Sequence, residues 1–179
     1  MFVVVPNSLK NHVEDVSPEF WRVQALILKF DNSSLLLLNT YFPVDNRGAQ
    51  NDEAELIVTL QHIKQVIDNT RFNNILWVGD INTDFSRRTN HVNSIKTFME
   101  DNSLQSSWSK FSVDFTCSHD ANEHSFISTI DHFLLNDALL NVILDAGVIH
   151  DIDNLSDHSP IYCQFDVDNV KVNEVDDMK

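Results

Sequence analysis

Four short polar stretches carry the residue types of a hydrolytic site. In Gly79-Asp80-Ile81-Asn82 a carboxylate and a carboxamide lie two residues apart, which suits a water that must be both deprotonated and aimed. In Ser128-Thr129-Ile130-Asp131-His132 an acid is set inside an otherwise apolar strand, where a bare charge is costly and must be paired or bound. In Leu155-Ser156-Asp157-His158-Ser159-Pro160 an acid and an imidazole are adjacent. Asp131 is suited to hydrogen-bond the ring of His158, fixing its tautomer and raising its pKa so that a protonated ring faces a phosphate. Asp157, pointing the other way, is a candidate cation ligand. The fourth stretch, Asn39-Thr40-Tyr41-Phe42-Pro43, again places polar groups at the end of an apolar run. Each stretch alone is an ordinary turn, since Gly, Asp, Asn and Ser dominate turns. All of them together at strand ends make a constellation.

Such groups need elements to hold them. Ile75, Leu76, Trp77 and Val78 read as a strand buried on both faces, and Gly79 lets the backbone turn so that Asp80 and Asn82 reach its C-terminal lip, where layered α/β proteins place ligands. Trp21 to Phe30 and Leu35 to Tyr41 alternate as strands around the turn Asp31-Asn-Ser-Ser34 and form a hairpin, with Val23, Ala25 and Ile27 on one face. Gly48 to Thr70 is a helix, with Leu56, Leu60, Ile63 and Ile67 on one face and His62 and Lys64 on a solvated flank. Asn90 to Asp101 is a second helix capped by Asn90, burying Val92, Ile95, Phe98 and Met99. Leu104 to Phe111 is a link in which Trp108 packs.

Further strands are expected at Phe2–Pro6, Phe115–Cys117, Phe126–Leu135, Gly147–Ile149 and Ile161–Val167, with a helix at Asp137–Leu144. Residues 7–19 and 118–124 read as loops, which leaves His119 and His124 exposed. Residues 1–167 form the domain and 168–179 an acidic, disordered tail.

The balance of 12 Lys plus Arg against 27 Asp plus Glu, −15 overall, repels phosphate backbones but welcomes a divalent cation at a carboxylate cluster. The two cysteines, Cys117 and Cys163, match no zinc spacing or disulfide framework and read as buried thiols, with a single disulfide as the alternative. No apolar run reaches the ~20 residues of a membrane helix, and Met1 to Lys10 lacks the pattern of a signal peptide, so the expectation is an intracellular chain with no membrane; a monomer with no evident protein partner is also expected. Nucleus and cytoplasm are not distinguished.

With these residues in view, the chain resembles the endonuclease/exonuclease/phosphatase superfamily. The signals, in order, are Asn39-Thr-Tyr-Phe-Pro43, Trp77-Val-Gly-Asp-Ile-Asn82, Ser128-Thr-Ile-Asp131 and Ser156-Asp-His-Ser-Pro160. Within it the chain looks most like the endonuclease domains of non-LTR (LINE-type) retrotransposon polyproteins, through Thr129-Ile-Asp-His-Phe-Leu-Leu135 followed by Leu155-Ser-Asp-His158. The resemblance implies an α/β (α+β) four-layer sandwich, two mostly antiparallel sheets packed together and flanked by helices, lacking the first strands. It implies that Asp80 activates water, that Asn82 orients it, and that Asp131 and His158 pair on the phosphate. Asp157 resembles a metal ligand, Tyr41 the aromatic hydroxyl on the scissile phosphate, and Asn39 joins Tyr41, Asn82 and His158 in holding substrate. Arg22 sits where the family often has an arginine at the head of a strand.

The implied activity is Mg²⁺-dependent (or Mn²⁺-dependent) hydrolysis of a phosphodiester, with DNA as substrate. The family's opening strands, one bearing an Asn and one ending in a Gln-Glu pair whose Glu binds metal, do not precede Phe2. The expectation is therefore an N-terminally truncated member with impaired metal binding. Two other readings stay open: a phosphatase for small phosphoesters, such as an inositol phosphate or a phospholipid head group, which the acidic surface favours, and an inactive remnant serving as a binding module.

Overall fold

The computed structural model describes residues 3–45, 50–121, 124–151 and 153–166. Its centre is a six-stranded sheet in the order β1 (Val13–Asp15), β2 (Val23–Lys29), β3 (Ser34–Tyr41), β4 (Asn74–Asp80), β8 (Asp131–Asn136) and β5 (Leu104–Ser106). β3 and β4 run parallel and the other neighbours antiparallel. The parallel pair needs a crossover, which α1 (Gln50–Asn69) supplies.

Period-two alternation decides which residues face which layer. Val23, Ala25, Ile27, Leu36, Leu38, Ile75, Trp77 and Leu134 turn to one face and pack on Leu56, Leu60, Ile63 and Val66 of α1 and on Ile95 of α2 (Asn90–Asp101). Burying each such leucine or isoleucine stabilises by about 1.5–3 kcal/mol. Leu35, Leu76, Phe133 and Leu135 turn to the other face, where Leu139 of α3 (Asp137–Asn141) and Ile143 and Ala146 of β9 (Ile143–Val148) cover them. β9 pairs with β10 (Ile161–Phe165) as a two-stranded sheet. The two packed sheets are thus unequal, six strands against two.

A second two-stranded sheet joins β6 (Cys117–Ala121) to β7 (His124–Ser128). The expected polar loop at 118–124 is therefore a hairpin, and β6 starts at Cys117 rather than Phe115. The expected single strand from Phe126 to Leu135 is broken between β7 and β8. Thr116 Oγ1 accepts both the Ile130 and the Asp131 N–H at 3.0 Å, and Ile130 gives its carbonyl to the Ile81 N–H, so the chain passes there from hairpin to sheet.

Other expectations shift locally. Phe2 lies outside the described residues, and Val3–Pro6 form no strand: Val4 is 80% exposed and Pro6 leads into a short 3-10 helix, Asn7–His12. Thr89, not Asn90, caps α2, its Oγ1 accepting the Val92 N–H at 3.2 Å. His62 is no solvated flank, because its ring stacks on Phe20 at 4.3 Å, whereas Lys64 is exposed and paired with Asp68. The link after α2 holds β5 and a 3-10 turn, Ser107–Ser109. Leu144 lies beyond α3, in β9, and Ile149 beyond that strand. Gly48 and the tail 168–179 lie outside the described residues. Among those residues no helix is long and apolar enough to cross a membrane.

Candidate active site

Because β3 and β4 are parallel, their C-terminal ends share one lip, with Tyr41 beside Asp80 in register. β8 runs back from that lip and begins at Asp131, directly opposite Asp80. Side chains opposite each other on an antiparallel pair share a face with Cβ atoms about 5 Å apart, so the pairing itself brings the two carboxylates together. Asp131 therefore opens a strand at the lip rather than sitting in the middle of one.

Gly79 makes the lip possible. Its φ is +150°, and a Cβ there would stand 2.0 Å from the Thr40 carbonyl oxygen. Two residues on, Asn82 takes a left-handed conformation, φ 50°, which asparagine tolerates better than most residues. Its backbone N–H donates to Asp80 Oδ1 at 2.8 Å, and its Nδ2 donates to Asp80 Oδ2 at 3.1 Å and to the Phe42 carbonyl at 2.9 Å. Both carboxamide N–H bonds are thereby spent, so what Asn82 can offer a water is its carbonyl oxygen.

His158 arrives from the loop before β10. Its Nδ1 donates to Asp131 Oδ2 at 2.9 Å, leaving Nε2 for a ligand. The loop is seated by the Ser118 N–H on the Asp157 carbonyl and the Ser159 N–H on the Thr116 carbonyl, each 2.8 Å, and by a backbone bridge between Cys117 and His158. Asp131 is fixed as well: the Trp108 indole N–H donates to its carbonyl at 3.2 Å. Ligand atoms of Asp80, Asp131 and His158 lie within 4.8 Å of one another.

Solved structures share this architecture. The endonuclease domain of TRAS1, a telomere-specific non-LTR retrotransposon, aligns with a TM-score of 0.64 at 14% identity over 80% of this chain and 63% of its own. The 3′ phosphatase NExo from Neisseria, bound to product DNA hairpin, gives 0.64 at 17% identity over 86% and 70%. The AP endonuclease LMAP from Leishmania major gives 0.64 at 17% over 89% and 58%. The chain has the endonuclease/exonuclease/phosphatase fold. It spans between about three fifths and seven tenths of the length of these proteins. No family model matches the sequence, and no curated protein matches it.

On this endonuclease/exonuclease/phosphatase frame, Asp80, Asn82, Asp131 and His158 converge as the four residues singled out from the sequence. Tyr41, 41% exposed, stands at the same lip, its ring 6.2 Å from that of Trp21. Asn39 is half-buried, two residues earlier on the face that bears Tyr41 and Asp80. Arg22 is committed elsewhere: Nε and Nη2 bind Glu55 Oε1 at 2.9 and 2.7 Å, Nη1 binds the Tyr41 carbonyl at 3.1 Å, and its guanidinium lies 4.1 Å from the Trp21 ring. Asp157 is exposed and groups with Cys117 and His158, and its charge reaches Asp80 and Asp131.

Electrostatics agree with the geometry. Burial, assisted by the charge of Asp131, pushes Asp80 up from 3.8 to about 6 against the pull of the Asn82 N–H. Burial also raises Asp131. For His158 burial disfavours the charged ring, but Asp131, Asp80 and Asp157 outweigh it and hold the imidazolium above its usual range. A hard cation fits such a donor set, because two crowded, partly desolvated carboxylates are what it would relieve, and Mg²⁺ needs only one or two of them plus substrate oxygens. His132, next to Asp131, faces the opposite layer: burial lowers it to about 4, and it packs against Phe85 with Nε2 on the Thr83 carbonyl.

Thr116, Cys117 and Trp108 were not singled out for the site by sequence. The parts of Thr116 and Cys117 depend on contact with the 156–160 loop, and that of Trp108 on the packing of its turn against the start of β8, for which no local pattern exists.

Proposed function

We propose that the chain is a metal-dependent phosphodiester hydrolase of the DNA endonuclease type, derived from a retroelement. The observation that carries this is the linked chain Asn82–Asp80 opposite Asp131–His158 at one sheet lip. Asp80, raised to about 6, can take a proton from water near neutrality, and the Asn82 carbonyl oxygen can aim that water. His158, held protonated by Asp131, can donate from Nε2 to a phosphate oxygen as charge builds there. Mg²⁺ or Mn²⁺, leaning on Asp131 and on substrate oxygens, would supply further positive charge at the phosphate. Tyr41 can steady the phosphate from the neighbouring strand, and Asn39 can contact substrate from one pleat deeper.

The similarity to proteins named as a retrotransposon endonuclease, a DNA-bound 3′ phosphatase and an AP endonuclease supports nucleic acid as the substrate. A second reading, hydrolysis of small phosphoesters at the same site, is favoured by the net charge of −15, which repels DNA.

Supercoiled plasmid incubated with the protein and Mg²⁺ should become nicked, with EDTA, Asp80→Asn and His158→Ala each abolishing the nick. An unnicked plasmid together with turnover of a small phosphoester would select the second reading. Silence on both would refute a hydrolase. The retroelement origin is tested by the DNA flanking the gene, where the remainder of a polyprotein should be encoded.

A further inference from the structure

Asp157 falls in a group whose other members are a thiol and an imidazole, with ligand atoms of Cys117, Asp157 and His158 within 4.8 Å of one another. We propose that these three residues bind a soft divalent cation of the Zn²⁺ class, and that the bound ion occupies the ring nitrogen that His158 would otherwise turn to a phosphate. The second half of this rests on the hydrolase reading; the first half does not.

The donor set decides the class of ion. Mg²⁺ takes oxygen ligands and keeps its waters, so a thiolate is foreign to it, whereas sulfur, nitrogen and a single carboxylate form a borderline-soft set suited to Zn²⁺. The backbone holds the set ready. Cys117 and His158 are bridge partners, so their side chains leave the same local face, and the bonds Ser118 N–H to Asp157 O and Ser159 N–H to Thr116 O tie the two segments on either side. Cys117 is buried and Asp157 exposed, so the ion would sit at a wall with one mobile ligand on the solvent side.

The hydrogen bond already made by His158 completes the argument. Asp131 occupies Nδ1, leaving Nε2 as the metal-binding nitrogen. A carboxylate on the remote N–H of a metal-bound imidazole is the usual way such a ring is oriented and made more basic. Zn²⁺ holds its ligands at about 2.0–2.3 Å, which brings them to about 3.5 Å from one another, so the group has to close by roughly 1 Å. Rotation of the exposed Asp157 side chain and a small shift of Cys117 supply that. On binding, the Cys117 S–H bond breaks, its proton passes to solvent and the sulfur lone pair forms the metal bond. Three protein ligands leave a fourth position for water. An ion so placed and a phosphate on Nε2 exclude each other.

The test uses Co²⁺ as a visible stand-in for Zn²⁺ on the whole chain. Titration should raise a thiolate-to-cobalt charge-transfer band that saturates at one ion per chain and is displaced by Zn²⁺. Cys117→Ser should remove the band, Cys163→Ser should leave it, and Asp157→Asn should weaken binding by roughly tenfold or more. Because Asp157 is exposed, that last variant folds regardless of how Cys117→Ser behaves. Absence of the band, or its survival unchanged in Cys117→Ser and Asp157→Asn, overturns the site. If the band forms but Zn²⁺ leaves Mg²⁺-supported nicking untouched, the exclusion of phosphate is overturned. A chain that binds Co²⁺ yet neither nicks plasmid nor turns over a small phosphoester refutes the hydrolase reading and supports the metal site.

Discussion

Asp80 and Asp131 are register partners across β4 and β8, two carboxylates placed side by side by strand pairing alone. Like charges at such spacing are destabilising unless a proton or a cation intervenes, so the pairing marks a site kept for a ligand at some cost to the fold.

That cost is measurable as a function of pH. Asp80 titrates ordinarily at 3.8 and in the folded chain at about 6, so folding takes up a proton between those values. The stability contributed by its protonated form is complete below about 3.8 and is lost as pH rises through about 6. Asp80→Asn should therefore melt about 2–6 °C above the wild type at pH 7.5, with the gap closing by pH 4. A gap independent of pH would contradict the burial argument.

The pH profile of nicking should be a bell. Its rising limb follows Asp80 near 6, and its falling limb follows His158 above 6.5. Asp131→Asn removes the charge that holds the imidazolium and leaves only a neutral acceptor, so the falling limb should move to lower pH while turnover drops about 10²–10⁴-fold. An unmoved limb would show that Asp131 does not set the charge of His158.

Gly79→Ala should fail as a fold before it fails as a catalyst. The new methyl would meet the Thr40 carbonyl oxygen at 2.0 Å in a backbone conformation of φ +150°, forcing β3 away from β4. Roughly 3 kcal/mol or more should be lost in chemical denaturation. A loss under about 1 kcal/mol would mean the lip can relax.

Thr40→Val tests the core beneath the same lip. The fully buried Trp77 donates its indole N–H to Thr40 Oγ1 at 2.7 Å. A valine of similar shape leaves that donor unpaired, for a loss of about 1–3 kcal/mol with the sheet intact. An unchanged denaturation midpoint would mean that water reaches the indole.

Local pattern made much of this legible. Alternation placed Val23, Ala25 and Ile27 on the core face, and helical spacing found Leu56, Leu60 and Ile63, because burial on one face imprints its own period. Gly79-Asp80 was readable because a tight turn after a buried strand has few alternatives. Illegible parts were those decided by distant pairing. The split at Thr129–Ile130 comes from the hydroxyl of Thr116, and the hairpin at 117–128 is strung from polar residues that resemble a loop. Arg22 does stand at the head of a strand, but its partner was not legible, because Glu55 is brought alongside only by the packing of α1.

The His158 ring is mounted on a hatch rather than on the frame. Two backbone hydrogen bonds, one bridge and the side-chain bonds of His158 to Asp131 and of Ser159 to His150 seat residues 157–159, while the β3–β4 ladder runs the length of both strands. A seam that short springs open far more often than the whole sheet melts. A warmed sample should thus fall silent while its far-ultraviolet spectrum is still intact, and cooling should bring it back without any refolding lag.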